Sequence, residues 1–122
     1  MKTGATGIKR IFKAFTYSYA GLITTFKTEA AFRQELFLCI PLTIIALILP
    51  FSALQTYLLL FSLFLILLME LINSAIEAVV DRISDEYHEL SKKAKDIGSL
   101  IVLLSFINAF AVWIICLYQM YF

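Results

Sequence analysis

"MELINSAIEAVVDR", residues 69–82, decides how this chain is read. It follows an apolar run, Tyr57–Met69, interrupted only weakly by Ser62, that has the character of a helix inside lipid. Glu70, Asn73, Ser74, Glu77, Asp81 and Ser84 then step by three, one, three, four and three, which is one face of a helix. Glu70 and Glu77 stand two turns apart, about 10 Å along the axis. Leu71, Ile72, Ile76, Val79 and Val80 fall on the other faces, so the polar stripe is expected to look toward neighbouring helices. A carboxylate in mid-span costs on the order of 3 kcal/mol to insert, and intramembrane ionisable groups mark functional sites. The plainer reading is a polar seam that holds helices together, helped by small Ser74, Ala75 and Ala78. Amides or hydroxyls would serve that purpose. Carboxylates need partners of their own, which favours function.

The charges around this stretch set the architecture. Of 122 residues, 61% are apolar, and the ten basic and nine acidic side chains all lie in 1–35 and 70–96. None falls between Leu36 and Met69 or between Ile97 and Phe122. The first charge-free block is too long for one crossing of a hydrocarbon core about 30 Å thick, and Pro50 in "PFSAL" breaks it. The expected architecture is an all-α membrane protein of one domain. It has three transmembrane helices, at about 32–49, 56–82 and 97–120, and an N-terminal amphipathic surface helix at about 6–27. Ile8, Ile11, Phe12, Phe15, Tyr19, Leu22, Ile23 and Phe26 share one face of that helix. Arg10 and Tyr17, seven apart, lie on a stripe available to a ligand.

Lys2, Lys9, Arg10, Lys13 and Lys27 precede the first span, and Arg82, Lys92, Lys93 and Lys95 lie between the second and third. The positive-inside rule then places the N-terminus and the 83–95 loop in the cytoplasm and the C-terminus outside. Trp113, Tyr118 and Tyr121 suit the outer interfacial belt. No signal peptide is expected, because the basic N-terminus leads into no short apolar region with a small-residue cleavage site. The net charge of +1 gives no case for nucleic-acid binding. Cys39 and Cys116, isolated in apolar segments, read as small packing residues.

Glu29 and Glu35 form a second acidic pair at the mouth of the first span, and Glu29 with Glu77 could offer hard oxygen ligands to Mg²⁺. His88, the one histidine, reads as a loop residue on spacing alone. No GxxxxGK[ST], GxGxxG or protein-kinase signature is present. Residue patterns alone therefore reach a cluster of acids and bases at one end of three membrane helices. That cluster suits catalysis on a lipid head group or an ion pathway.

"ELINSAIEAVVDRISDEYHELSKKAKDIGSLIVLL" (70–104) closely resembles the prokaryotic integral-membrane diacylglycerol kinase family. "TGIKRIFKAFTYSYAGL" (6–22) and "EAAFRQE" (29–35) resemble it in the same order, and "EYHELS" and "AKD" favour the diacylglycerol branch over the related undecaprenol kinases. The resemblance implies a homotrimer in the bacterial inner membrane that moves the γ-phosphate of MgATP to the hydroxyl of diacylglycerol, giving phosphatidic acid at sites shared between chains. It implies Glu70 as general base with Asn73 beside it, and Glu29 and Glu77 as metal ligands. Arg10, Tyr17, Glu29, Glu77, Glu86, Tyr87, His88, Lys95 and Asp96 would contact the nucleotide. Arg10, Ala31, Arg33, Glu35, Glu70 and Ser99 would contact the lipid substrate. The competing expectations are an undecaprenol kinase with the same chemistry, or a non-enzymatic ion pathway through Glu70 and Glu77. Beyond their charged ends, which carry Glu35 and Ser99, the first and third spans offer such a pathway only Thr43, Ser105, Asn108 and Gln119.

Overall fold

The computed structural model describes residues 6–122; Lys2, counted above among the orienting basic residues, lies outside them. Four helices follow in order: α1 (Gly7–Thr28), α2 (Ala30–Ile48), α3 (Ala53–Ile83) and α4 (Glu89–Tyr121). The last three are long and apolar enough to cross a membrane. At 1.5 Å per residue, α3 and α4 run roughly 45–50 Å, so both outlast the hydrocarbon core. Their extra turns are the charged ones, Glu70 onward in α3 and the residues before Ile97 in α4.

Each joint has a local cause. At the corner between α1 and α2, the Glu29 N–H donates to Thr25 O (2.9 Å), and Arg33 Nη1 donates to the carbonyls of Phe26 (2.7 Å) and Lys27 (3.0 Å). Those carbonyls end α1 and have no intrahelical donor left, so a guanidinium from the next helix caps them. Phe26 and Phe37 meet edge to face at 6.3 Å across the same corner. At the opposite end of the bundle, Pro50 stops the chain and Ser52 starts α3 with a capping box: Gln55 N–H donates to Ser52 Oγ, and Ser52 N–H to Gln55 Oε1. Between α3 and α4, Ser84 Oγ accepts from the Glu86 N–H and His88 Nδ1 from the Leu90 N–H, both at 3.0 Å. His88 is thus the N-cap of α4. Ser84, expected to continue the helical stripe, is extended and terminates it.

Helix α3 packs on both α2 and α4. One apolar cluster joins Cys39, Leu63, Ile66 and Ala109, and a second joins Ala46, Leu59 and Cys116. Both cysteines are therefore packing residues, with buried thiols. Trp113 lies against both clusters, half-buried, because it continues the Ala109–Cys116 side of α4 that faces α3. Trp113, expected with Tyr118 and Tyr121 in the outer interfacial belt, also packs sideways against the core, while Tyr118 and Tyr121 are exposed. Pro41 lies inside α2 without breaking it. Its missing N–H takes the helical donor from the Phe37 carbonyl, a loss that membrane helices tolerate when neighbouring groups or local adjustment satisfy the freed oxygen. Helix α1 packs on α2 at their shared corner and buries none of its residues, so Ile8, Ile11, Phe12 and Phe15 remain open.

Candidate active site

Among the described residues, two neighbouring clefts lie at the charged end of the bundle. The first, about 370 Å³, is lined by Glu29, Ala31, Glu70, Asn73, Glu77 and Ser99, with Phe106 at its apolar end. Glu70 is 5% exposed and Asn73 9%, because the buried face of α3 carries straight on from Leu63 and Ile66 into these residues. The same helical repeat that packs the core delivers the carboxylate. Glu77, one turn beyond Asn73, is half-buried and accepts a 3.3 Å hydrogen bond from Asn73 Nδ2. Glu29 reaches the cleft from the start of α2, where the helix dipole favours an anion, and its side chain makes no capping bond. Glu35 stands next to Glu70 with Oε2 buried and unpartnered. Carboxylates gathered away from water need a cation or a donor among them.

The second cleft, about 460 Å³, is walled by the end of α3, the 84–88 connection and the first turns of α4. It gathers Asp81, Glu86, Tyr87, His88, Lys92, Lys95 and Asp96. Two ion pairs cross or flank it: Lys95 Nζ to Asp81 Oδ1 at 2.7 Å, joining α4 to α3, and Lys92 Nζ to Asp96 Oδ2 at 2.6 Å, one turn apart. The Asp81 carboxylate, by its hydrogen bond and charge, holds the Lys95 ammonium above its ordinary pKa, so this cation stays charged through the physiological range. Lys95 lies just outside the apolar span that begins at Ile97.

One chain thus brings Glu29, Ala31, Glu70, Asn73, Glu77 and Ser99 together, and separately Glu86, Tyr87, His88, Lys95 and Asp96. Arg33 lines neither cleft; it is spent on the carbonyls that end α1. Arg10 and Tyr17 also line neither. Arg10 is nineteen residues from Glu29 along an unbroken helix, roughly 28 Å.

Three features were missed by sequence reasoning. The pairing of Asp81 with Lys95 needs the turn geometry between α3 and α4. The cap made by His88 needs the same connection. Gly98 is the third: a Cβ there would overlap the Asn73 carboxamide. A signal for it existed, since a lone glycine inside a long apolar helix costs about 1 kcal/mol relative to alanine and is kept for a reason of packing or function.

Among the described residues, no three Asp, Glu, His or Cys side chains converge as a self-contained metal site. That donor set still fits Mg²⁺, which is held by one or two carboxylates together with phosphate oxygens and water.

A small bundle of long apolar helices, with a buried carboxylate where its core ends and a cleft of paired lysines and aspartates beside it, suits a membrane-embedded phosphotransferase. The chain belongs to the prokaryotic diacylglycerol kinase family, whose model matches residues 16–117. It is similar to the diacylglycerol kinase of Escherichia coli K12, 47% identical over 119 residues that cover 98% of each chain. It is also similar to that of Pseudomonas aeruginosa, 50% identical over 96 residues covering 79% of this chain and 78% of the other. The Haemophilus influenzae diacylglycerol kinase is 41% identical over 108 residues, 88% of this chain and 92% of its relative.

Proposed function

We propose that this chain is an ATP-dependent lipid kinase that transfers the γ-phosphate to diacylglycerol, giving phosphatidic acid and ADP. The observation that carries the reading is the first cleft, where Glu70 is buried at the edge of the apolar span while Glu29 and Glu77 stand toward the charged end. The similarity to curated diacylglycerol kinases over nearly the whole chain supports the choice of lipid. In this reading the N-terminus and the 84–88 connection are cytoplasmic, in a bacterial inner membrane, and α1 lies on the inner leaflet with its open apolar face in lipid.

Phosphoryl transfer is chiefly positioning and charge neutralisation. Glu70 takes the proton of the lipid hydroxyl as its oxygen bonds to the γ-phosphorus, and the bond from that phosphorus to the bridging oxygen breaks, releasing ADP. Asn73 orders the carboxylates around that hydroxyl through Glu77. Glu29 and Glu77 would hold Mg²⁺, which supplies neutralisation of phosphate charge. Lys95, released from Asp81, pairs with phosphate oxygens, and Glu86, Tyr87, His88 and Asp96 line the space for the rest of the nucleotide. Ala31, Glu35 and Ser99 flank the lipid.

Arg10 and Tyr17 serve the nucleotide from a neighbouring chain, because the length of α1 carries them away from the clefts of their own. A homotrimer with shared sites meets that need and covers apolar surface that one chain leaves open. Arg33 contributes to lipid binding by holding the α1–α2 corner.

An ion pathway finds less support. Beyond Glu70, the Ser62 and Ser105 hydroxyls both turn back to carbonyls of their own helices, at 2.6 Å to Leu59 O and Val102 O. Radiolabelled phosphate transfer from ATP to short-chain diacylglycerol in mixed micelles tests the proposal, with undecaprenol as the second acceptor. Label in undecaprenol alone would move the chain to the other kinase. No label in either lipid, with ion flux in liposomes, would refute the kinase reading.

A further inference from the structure

We propose that Gly98 is a positioning residue of the first cleft, which acts through Asn73 to orient the Glu77 carboxylate. The inference rests on the phosphoryl-transfer reading of that cleft. Three observations carry it. A Cβ added at Gly98 would overlap Asn73 Oδ1, so the carboxamide lies directly against the α4 backbone. Asn73 Oδ1 is buried and has no hydrogen-bond partner, while Nδ2 donates to Glu77 Oε1. Gly98 is itself buried in the seam between α3 and α4.

Together these fix which way the amide points. An amide oxygen turned to Glu77 would set two acceptors against each other, whereas an oxygen turned to the Gly98 methylene meets a weak C–H donor, a contact that recurs where helices cross closely. Only glycine leaves room for this arrangement. With Nδ2 on Oε1, the other oxygen of Glu77 is left to face the cleft. A partner that orients a ligating carboxylate in this manner typically changes metal affinity by about 10- to 100-fold when removed. The competing role for Gly98 is simple close approach of two helices, as small residues allow in membranes. That role predicts a loss of assembly with no particular effect at Glu77.

The test uses the full chain in detergent micelles and two readouts. The first needs no metal: the ¹⁵N NMR signal of the Asn73 side-chain amide, assigned by its loss in Asn73→Ser. Glu77→Gln and Gly98→Ala should shift this signal alike, away from its wild-type position. The second is Mn²⁺ binding by electron paramagnetic resonance with a non-hydrolysable ATP analogue present. Gly98→Ala should weaken it about tenfold. Gly98→Ala added to Asn73→Ala should weaken it no further, because the shorter side chain vacates the space and the orienting bond is already gone. A Gly98→Ala protein with an unmoved amide signal, or additive losses in the double variant, overturns the proposal. So does failure of both Gly98→Ala and the double variant to fold, which would make Gly98 a packing glycine; folding of the double variant alone supports the overlap with Asn73. A wild-type protein that binds no Mn²⁺ would refute the metal role of Glu29 and Glu77. The metal-free amide signal tells that failure apart from failure of the positioning role.

Discussion

In the first cleft, Glu70 and Asn73 are buried on the packed face of α3, and Gly98 presses on Asn73 from α4. In the second, Lys95 and Asp96 are exposed and held by ion pairs to Asp81 and Lys92. Burial fixes the first set before any ligand arrives, since no rotamer change can carry a carboxylate out of a helix seam. The second set is held by contacts that water and salt compete for, and such pairs exchange partners at little cost. Chemistry on a lipid hydroxyl needs groups held in place, whereas a nucleotide that must enter and leave is better served by cations that can let go.

This contrast is most exposed to challenge at Glu70. Glu70→Gln should lower turnover by about 10²- to 10⁴-fold, the usual contribution of a general base, and leave affinity for an ATP analogue close to wild type. Steady-state kinetics beside analogue binding would show it; ordinary turnover removes Glu70 from the role.

Next in size is the sharing of sites between chains. Asn73→Ser and Asp96→Asn belong to different clefts, and each should be nearly inactive alone. Unfolding the two variants, mixing them equally and refolding them together should restore up to roughly a quarter of wild-type activity, since half the sites receive each intact residue in a shared cyclic interface. Verified mixed trimers without recovery would mean that each chain carries a whole site.

Glu77→Gln and Glu29→Gln should each raise the Mg²⁺ concentration for half-maximal activity by about tenfold or more, because each removes an anionic oxygen from a hard cation. Unmoved titration curves at normal activity would return both residues to helix packing.

The smallest effect is expected in the second cleft. Asp81→Asn frees Lys95 from its ion pair, so affinity for an ATP analogue should rise by no more than about fivefold. Isothermal titration at low salt reads this directly. A large loss of affinity would show that Asp81 shapes the nucleotide site instead of competing for its cation.

Much of the architecture was legible because charge is excluded so cleanly from 36–69 and 97–122, and because Pro50 marks the break between two spans. Glu70, Asn73 and Glu77 could be placed on one face by helical repeat alone, and the structure puts them in one cleft. What stayed hidden depended on contacts between elements. Arg33 reads as one more basic residue at a span's mouth until the corner brings it to the carbonyls of Phe26 and Lys27. The packing of Trp113 against both core clusters likewise shows only once α4 is paired with α3. Gly98 says nothing of Asn73 until two helices are set side by side.

Gln55 Nε2 donates to Gln119 Oε1 at 2.7 Å, stitching α3 to α4 at the end of the bundle away from both clefts. In the proposed reading, a bundle fastened at that rim would receive its lipid from the side, by drift within the leaflet. Diacylglycerol would then reach Glu70 without being lifted into water, a step that would cost about 0.8 kcal/mol for every methylene exposed. Supply of substrate and departure of product would thus become two-dimensional traffic, governed by the fluidity of the surrounding bilayer. The pace of such an enzyme should fall when that bilayer freezes into a gel, even with every side chain of the site unchanged.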